Sequence, residues 1–229
     1  VASDDLFIAW DDSAADTKNI TRTELVGALF KDEDDMASDS ATHGATQQSA
    51  KALFDGAMGL TLIEAQVVDD DTYVEFTGFD DTLYAAYWFE LINIIAVTDG
   101  GAVNFLTSAD GGSTYPTEPT DYSYLWNWHN GTGSLLDTRA TNYWRGNAMS
   151  GCGDDTTKGA SGDFWIYGPD KSAYTYTISQ QVGKYGTTFN GSSWRNRRKQ
   201  ADVVDAIRFF DTSANLTSGV IKMHGLRKS

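Results

Sequence analysis

The stretch WFELINIIAVTDGGAVNFLTSADGGSTY, Trp88 to Tyr115, decides the fold. It reads as a long apolar strand, a turn at Thr98-Asp99-Gly100-Gly101, a second strand, and a second turn at Asp110-Gly111-Gly112. Asp-Gly and Gly-Gly pairs supply the positive φ angles that tight hairpin turns need, and here they separate β-branched and aromatic runs. Both parities of the first strand are apolar, with Trp88, Ile92 and Ile94 on one side and Phe89, Leu91 and Ile95 on the other. Such a strand is expected to be covered on both faces, by a second sheet and by either the amino-terminal segment or a neighbouring copy.

Working outward, strand signals recur at residues 60–68, 73–79, 83–97 and 102–108, divided by Asp- and Gly-rich turns. They return at 164–167, at 203–210 and at 220–226, where Ile221 and Met223 share one face and Lys222 and His224 the other. In Tyr174-Thr175-Tyr176-Thr177-Ile178-Ser179 every second residue is apolar, as a half-buried strand demands. Residues 117–162 read as loop-rich, with Tyr and Trp scattered among Asn, Gly and Thr. Eight or nine strands suit two packed sheets. The expected fold is mainly β: an antiparallel β-sandwich, jelly-roll-like, with a small N-terminal attachment segment. Composition agrees, with 7 Trp, 11 Tyr, 11 Phe and 22 Gly against 3 Pro.

The 229 residues suffice for one sandwich and an extension. No apolar run approaches the ~20 residues that span a bilayer, and the opening residues lack the pattern of a signal peptide, so a soluble, unexported chain without membrane insertion is expected. Cys152 is the only cysteine. With no intrachain disulfide available, stability must come from packing or self-association.

Charge divides the chain. Residues 1–81 hold 19 acidic and 4 basic side chains, a balance of −15, and residues 82–229 hold 13 of each. The acidic part is either a solvated face or an adaptor steered to a complementary surface, and in both readings it disfavours a nucleic-acid backbone. Within it, Leu6, Ile8 and Trp10 share one face of a short strand, residues 11–16 form a turn, and Ile20 lies in a second extended piece. Thr23 caps a helix to Phe30 with Leu25 and Leu29 on its apolar side. A piece this small cannot bury enough surface to stand alone, so its apolar residues need a partner. The acidic, then small and polar, residues 31–49 read as a linker, residues 45–54 read as a marginal helix, and the division is set at 1–44 and 45–229.

Chemistry-bearing motifs are few. Asp69-Asp70-Asp71 and Asp80-Asp81 lack the alternate spacing and closing Glu of a calcium loop, and His43, His129 and His224 show no zinc spacing. Gly151-Cys152-Gly153 places a thiol on a tight turn with no base or oxyanion hole identified. No catalytic residue, metal or cofactor is assigned. Trp126, Trp128 and Trp144, in polar surroundings, fit a sugar-stacking platform or, as an alternative, a sandwich core or subunit interface. The basic run holding Arg195, Arg197, Arg198 and Lys199 reads as a contact patch that pairs with the acidic part of a neighbouring subunit.

Two regions carry a resemblance. Asp11-Asp12-Ser13-Ala14-Ala15-Asp16-Thr17-Lys18-Asn19-Ile20-Thr21 resembles the amino-terminal attachment segments of phage tail-fibre and head-fibre proteins. Tyr87 to Leu91, Thr98-Asp99-Gly100, Ser108 to Tyr115, Val204 to Phe209 and Thr217 to Gly225 are similar to a β-sandwich module that recurs in tailed-bacteriophage virion proteins. The resemblance implies a non-enzymatic virion protein: a capsid decoration, short fibre or tail component on the particle surface. It implies a homo-oligomer, with a trimer favoured, anchored to capsid or tail through Leu6, Ile8, Trp10, Ile20, Leu25 and Leu29. The alternative is a receptor-binding module that recognises a cell-surface glycan. No long heptad shaft separates the anchor from the distal domain.

Overall fold

Short Asp- and Gly-rich turns cut the chain into strands, and in the computed structural model every strand pairing is antiparallel. The structure describes residues 6–10, 17–21, 59–130 and 135–228. The chain divides into two units, residues 1–57 and residues 58–229. In the first, β1 (Leu6–Trp10) pairs with β2 (Thr17–Thr21), setting Leu6 opposite Thr21 and Trp10 opposite Thr17. The helices expected over 23–30 and 45–54, the linker at 31–49, and Leu25 and Leu29 lie outside the described residues.

The second unit is an antiparallel β-sandwich with twelve strands among its described residues. They are β3 (Leu60–Asp71), β4 (Val74–Phe76), β5 (Tyr84–Ala96), β6 (Asn104–Ser108), β7 (Tyr122–Asn130), β8 (Leu135–Tyr143) and β9 (Gly146–Asn147). β10 (Ala160–Tyr167), β11 (Thr175–Tyr185), β12 (Thr188–Arg198), β13 (Ala206–Phe210) and β14 (Leu216–Arg227) complete it. One sheet runs β3-β14-β5-β10-β11-β12-β7-β8 and the other β4-β13-β6-β9.

The sheets meet at a cluster of phenylalanines, each supplied by the inward parity of its strand. Phe89 of β5 lies 5.3 Å from Phe76, 5.2 Å from Phe209 and 5.9 Å from Phe164, all edge-on. Phe105 of β6 reaches Phe164 at 4.8 Å. Leu91, Ile166, Ile221 and Met223 fill the spaces between them, and all are buried. Edge-to-face rings contribute on the order of 0.5–1.5 kcal/mol per pair beyond the area they bury.

The stretch that opens the sequence reading behaves differently from a hairpin. β5 and β6 lie in different sheets, so the turn at 98–101 carries the chain from one layer to the other. Gly100 (φ 85°), Gly111 (φ 68°) and Gly112 (φ 87°) do take the left-handed conformation that the Asp-Gly and Gly-Gly pairs require. The hydrogen bonds a hairpin partner would have made go instead to residues 152–153: Ala96 N–H donates to Gly153 O and Gly100 N–H to Cys152 O. A bulge at Asn93 (φ 48°) then shifts the alternation. Ile94 and Ala96, rather than Ile95, join Phe89 and Leu91 in the core cluster.

The four-stranded sheet faces only part of its larger neighbour. Over β11, β12 and β7 the inner face is crossed by residues 146–151, and there most of the buried side chains are polar, Trp194 and Tyr122 excepted. Asn196 accepts from Asn147 N–H at 3.1 Å and donates to Asn147 O at 2.9 Å and to Thr177 Oγ1 at 3.0 Å. Gln181 donates to Ser150 O at 2.7 Å, and Asn190 donates to Gly151 O at 3.3 Å. These amides serve as ladder partners for a segment that has almost no strand of its own.

This arrangement inverts the expectation for residues 174–179. Thr175, Thr177 and Ser179 point inward and are buried, while Tyr174, Tyr176 and Ile178 stand exposed on the outer face. Residues 117–162 are likewise not loop-rich, because β7 and β8 form the far edge of the large sheet. Tyr122, Tyr124, Trp126 and Trp128 share one parity of β7, and that period-two signal was present in the sequence.

Candidate interaction surface

Because β11 turns its apolar parity outward, the outer face of the eight-stranded sheet becomes aromatic and aliphatic. Of the thirteen exposed large apolar side chains among the described residues, ten stand there: Leu62, Val67, Ile92, Leu125, Tyr167, Tyr174, Tyr176, Ile178, Val182 and Phe189. Single exposed apolar side chains are ordinary, and a face that gathers ten of them marks an interaction site.

Strand register places the chemistry of this face in rows. One row runs His224, Trp88, Trp165, Ile178, Arg195, Leu125, Arg139, one residue from each of seven adjacent strands. At its first end the rings stack: Trp88 on His224 at 4.7 Å, Trp88 on Trp165 at 6.0 Å, and Trp165 on Tyr167 of the same strand at 5.8 Å. Polar groups hold them upright. Trp88 Nε1 donates to Asp163 Oδ1 at 2.9 Å, and Glu90 lies 3.3 Å from both Lys222 Nζ and His224 Nε2. At the other end the charges are arginines hydrogen-bonded to neutral acceptors, Arg195 to Asn127 Oδ1 at 3.0 Å and Arg197 to Ser123 Oγ at 3.3 Å, with Arg197 also over the Tyr174 ring at 5.2 Å. The face therefore has an aromatic half with carboxylates and an arginine half.

Within one copy β5 is covered on its inner parity, by the second sheet, and its outer parity is left to the other cover that was expected, the amino-terminal segment or a neighbouring copy. Phe89 and Leu91 are buried, but Trp88 and Glu90 are only half-buried and Ile92 is exposed. The apolar outer parity reflects the surface just described.

The basic run is divided by strand alternation. Arg195 and Arg197 face outward, whereas Arg198 is buried, ion-paired with Asp202 and hydrogen-bonded to Gln200 at 2.8 Å. Lys199 leaves the strand to meet Asn142 Oδ1 at 2.7 Å. Arg139 of β8, which sequence order hides, completes the outward group through its register with Leu125.

The three tryptophans do not form one platform. Trp126 and Trp128 are neighbours on the inner parity of β7, at 6.3 Å, and Trp126 stacks on Trp194 at 4.8 Å. Trp144 sits elsewhere, against Phe210 at 6.0 Å, with the Arg145 guanidinium 4.4 Å above its ring. Leu6, Ile8 and Trp10 lie on β1 and Ile20 on β2.

Cys152 is fully buried and its backbone bridges to Gly101. Burial pushes its thiol up to about 12, with Asp211 adding to the shift, so the sulfur stays protonated and unreactive at neutral pH. His129 is exposed on the outer parity of β7, across the sheet from that thiol. Among the described residues no three His, Cys, Asp or Glu side chains converge as metal ligands would. No family model and no curated protein matches this chain.

Proposed function

We propose that the chain is a structural protein of a tailed-phage particle that acts by assembly, as a capsid decoration, short fibre or tail component. Its amino-terminal segment attaches to the particle, and the sandwich is displayed outward. The observation that carries this reading is the outer face of the large sheet, whose ten exposed apolar side chains form a surface suited to another protein surface. The fibre-like run at 11–21 and the virion-like signatures between Tyr87 and Gly225 support the same class.

The test is incorporation. Deleting residues 1–44 should abolish recovery of the protein in purified particles while leaving the sandwich spectroscopically folded. Full incorporation of the truncated chain would refute the attachment role.

A receptor-binding reading has one specific support. Trp126 and Trp128 stay partly exposed beside the strap at 146–151, with Trp194 stacked on Trp126 from the neighbouring strand. Indole faces of that kind suit the apolar face of a sugar ring. Glycan-array binding that persists in a Trp126→Ala, Trp128→Ala double variant would remove this reading.

A further inference from the structure

We propose that the outer face of the eight-stranded sheet is a two-fold interface with a second copy of this chain, in which the arginine half of one copy covers the aromatic half of the other. The inference names the partner for the face on which the assembly reading rests.

Area is the first argument. Leu125, Tyr167, Tyr174, Tyr176, Ile178, Val182 and Phe189 are between 37 and 62 % exposed. At the ~150–250 Å² that a large side chain offers when bare, they and Ile92 present roughly 700 Å² before Trp88, Trp165 and the arginines are added. A standard interface takes about 800 Å² from each partner. One copy's face is therefore large enough to hold a stable dimer without any other contact.

Charge selects the symmetry. An axis lying across the strands would set each strand on its own copy, bringing β12 with Arg195 and Arg197 onto β12 and β8 with Arg139 onto β8. An axis running along the strands, between β10 and β11, reverses the strand order and preserves the rows. β5 then faces β12, and β10 faces β11. In the row of Trp88, this puts Arg195 over the Trp88 ring, beside Glu90 and Asp163, and sets Ile178 against Trp165. A guanidinium on an indole next to carboxylates is favourable, Glu90 and Asp163 together offset Lys222 there, and the arginines of the two copies are kept apart. Aligned sheets crossing at about 30° keep such central rows in contact.

The full-length chain should sediment as a dimer at micromolar concentration. Ile178→Glu, on an exposed position, should give a monomer with the near-ultraviolet circular dichroism unchanged, and Val182→Glu provides the same test should the first variant fold poorly. Within one copy Trp88 and Arg195 stand three strands apart, about 14 Å, too far to couple. Trp88→Ala and Arg195→Ala should each raise the dimer dissociation constant about tenfold or more, and the double variant should fall well short of the product. A monomeric wild type, a trimer, or a dimer indifferent to Ile178→Glu and Val182→Glu would each overturn the proposal. So would independent effects of Trp88→Ala and Arg195→Ala. A monomer that still enters particles would leave the assembly reading standing, and a dimer that never enters them would refute that reading alone.

Discussion

Replacing Asn196 by Ala tests whether side-chain amides hold the strap at 146–151 onto the large sheet. Asn196 is 3 % exposed and Asn147 is 6 % exposed. The Asn196 amide exchanges two hydrogen bonds with the Asn147 backbone, as a neighbouring strand would, and donates a third to Thr177 Oγ1. Truncation strands the N–H and C=O of Asn147 in a buried position. Each group left unpaired costs about 1–3 kcal/mol, so the expected loss for the two is about 2–6 kcal/mol, toward the lower end where water enters the vacated space. Urea denaturation followed by tryptophan fluorescence is the assay, with Trp194 on the same strand as reporter. Hydrogen exchange of the Asn147 amide should accelerate in step. Asn196→Asp supplies a control with a sign. At neutral pH it faces Asn147 O with a carboxylate oxygen, and relative to wild type it should regain stability as pH falls and the protonated acid can donate again. A loss under about 1 kcal/mol with unchanged Asn147 exchange would refute the role assigned to these amides.

Three other outcomes are expected. Phe89→Ala, at the meeting point of Phe76, Phe164 and Phe209, should cost about 3–5 kcal/mol in the same denaturation assay. In the inverted strand, Thr177→Val should destabilise by about 1–2 kcal/mol through loss of the Asn196 bond, while Ile178→Thr should leave the monomer within about 0.5 kcal/mol, opposite to what burial of the apolar parity would give. Cys152, with its thiol raised to about 12, should resist iodoacetamide at pH 8 in the native state and react only after denaturant exposes it, as read by mass spectrometry.

The parts of the fold that were legible are those whose local pattern and tertiary environment agree. Ile221, Met223, Lys222 and His224 sorted to the expected faces because β14 lies against a hydrophobic second layer. Alternation in β11 was equally plain, but period two gives the existence of two faces and not which one is buried. What covers the inner face there is backbone at 146–151, which asks for amides and hydroxyls, and the partners Asn147 and Asn196 are 49 residues apart. Nothing near residue 175 encodes that. β7 escapes for another reason: its aromatics alternate, but the Asn, Gly and Thr of residues 117–162 read as loop chemistry. The basic run suffered similarly, since reading 188–198 as a strand would have separated Arg198 from Arg195 and Arg197 at once. Arg139 joins them only through sheet register.

The inversion of β11 has a physical cause that bears on the interaction surface. A sandwich with two full layers can bury one apolar parity from every strand, but here the second sheet has four strands against eight. Beyond it, the inner face must satisfy the backbone of a strap, so polar side chains are drawn inside and the apolar parity of β11 is turned outward. Tyr176, Ile178 and Val182 are thus not stray surface hydrophobics. They are the strand's apolar face, with nothing in the sandwich left to cover it. Replacing them would cost the fold little, since their neighbours across the sheet do not depend on them for hydrogen bonds. Ile178→Glu should accordingly separate folding from association, leaving the denaturation midpoint of the isolated monomer nearly unchanged while removing self-association. A midpoint that collapses with the same substitution would mean that the outer face stabilises the sandwich itself, and the division between a folding face and an association face would fail.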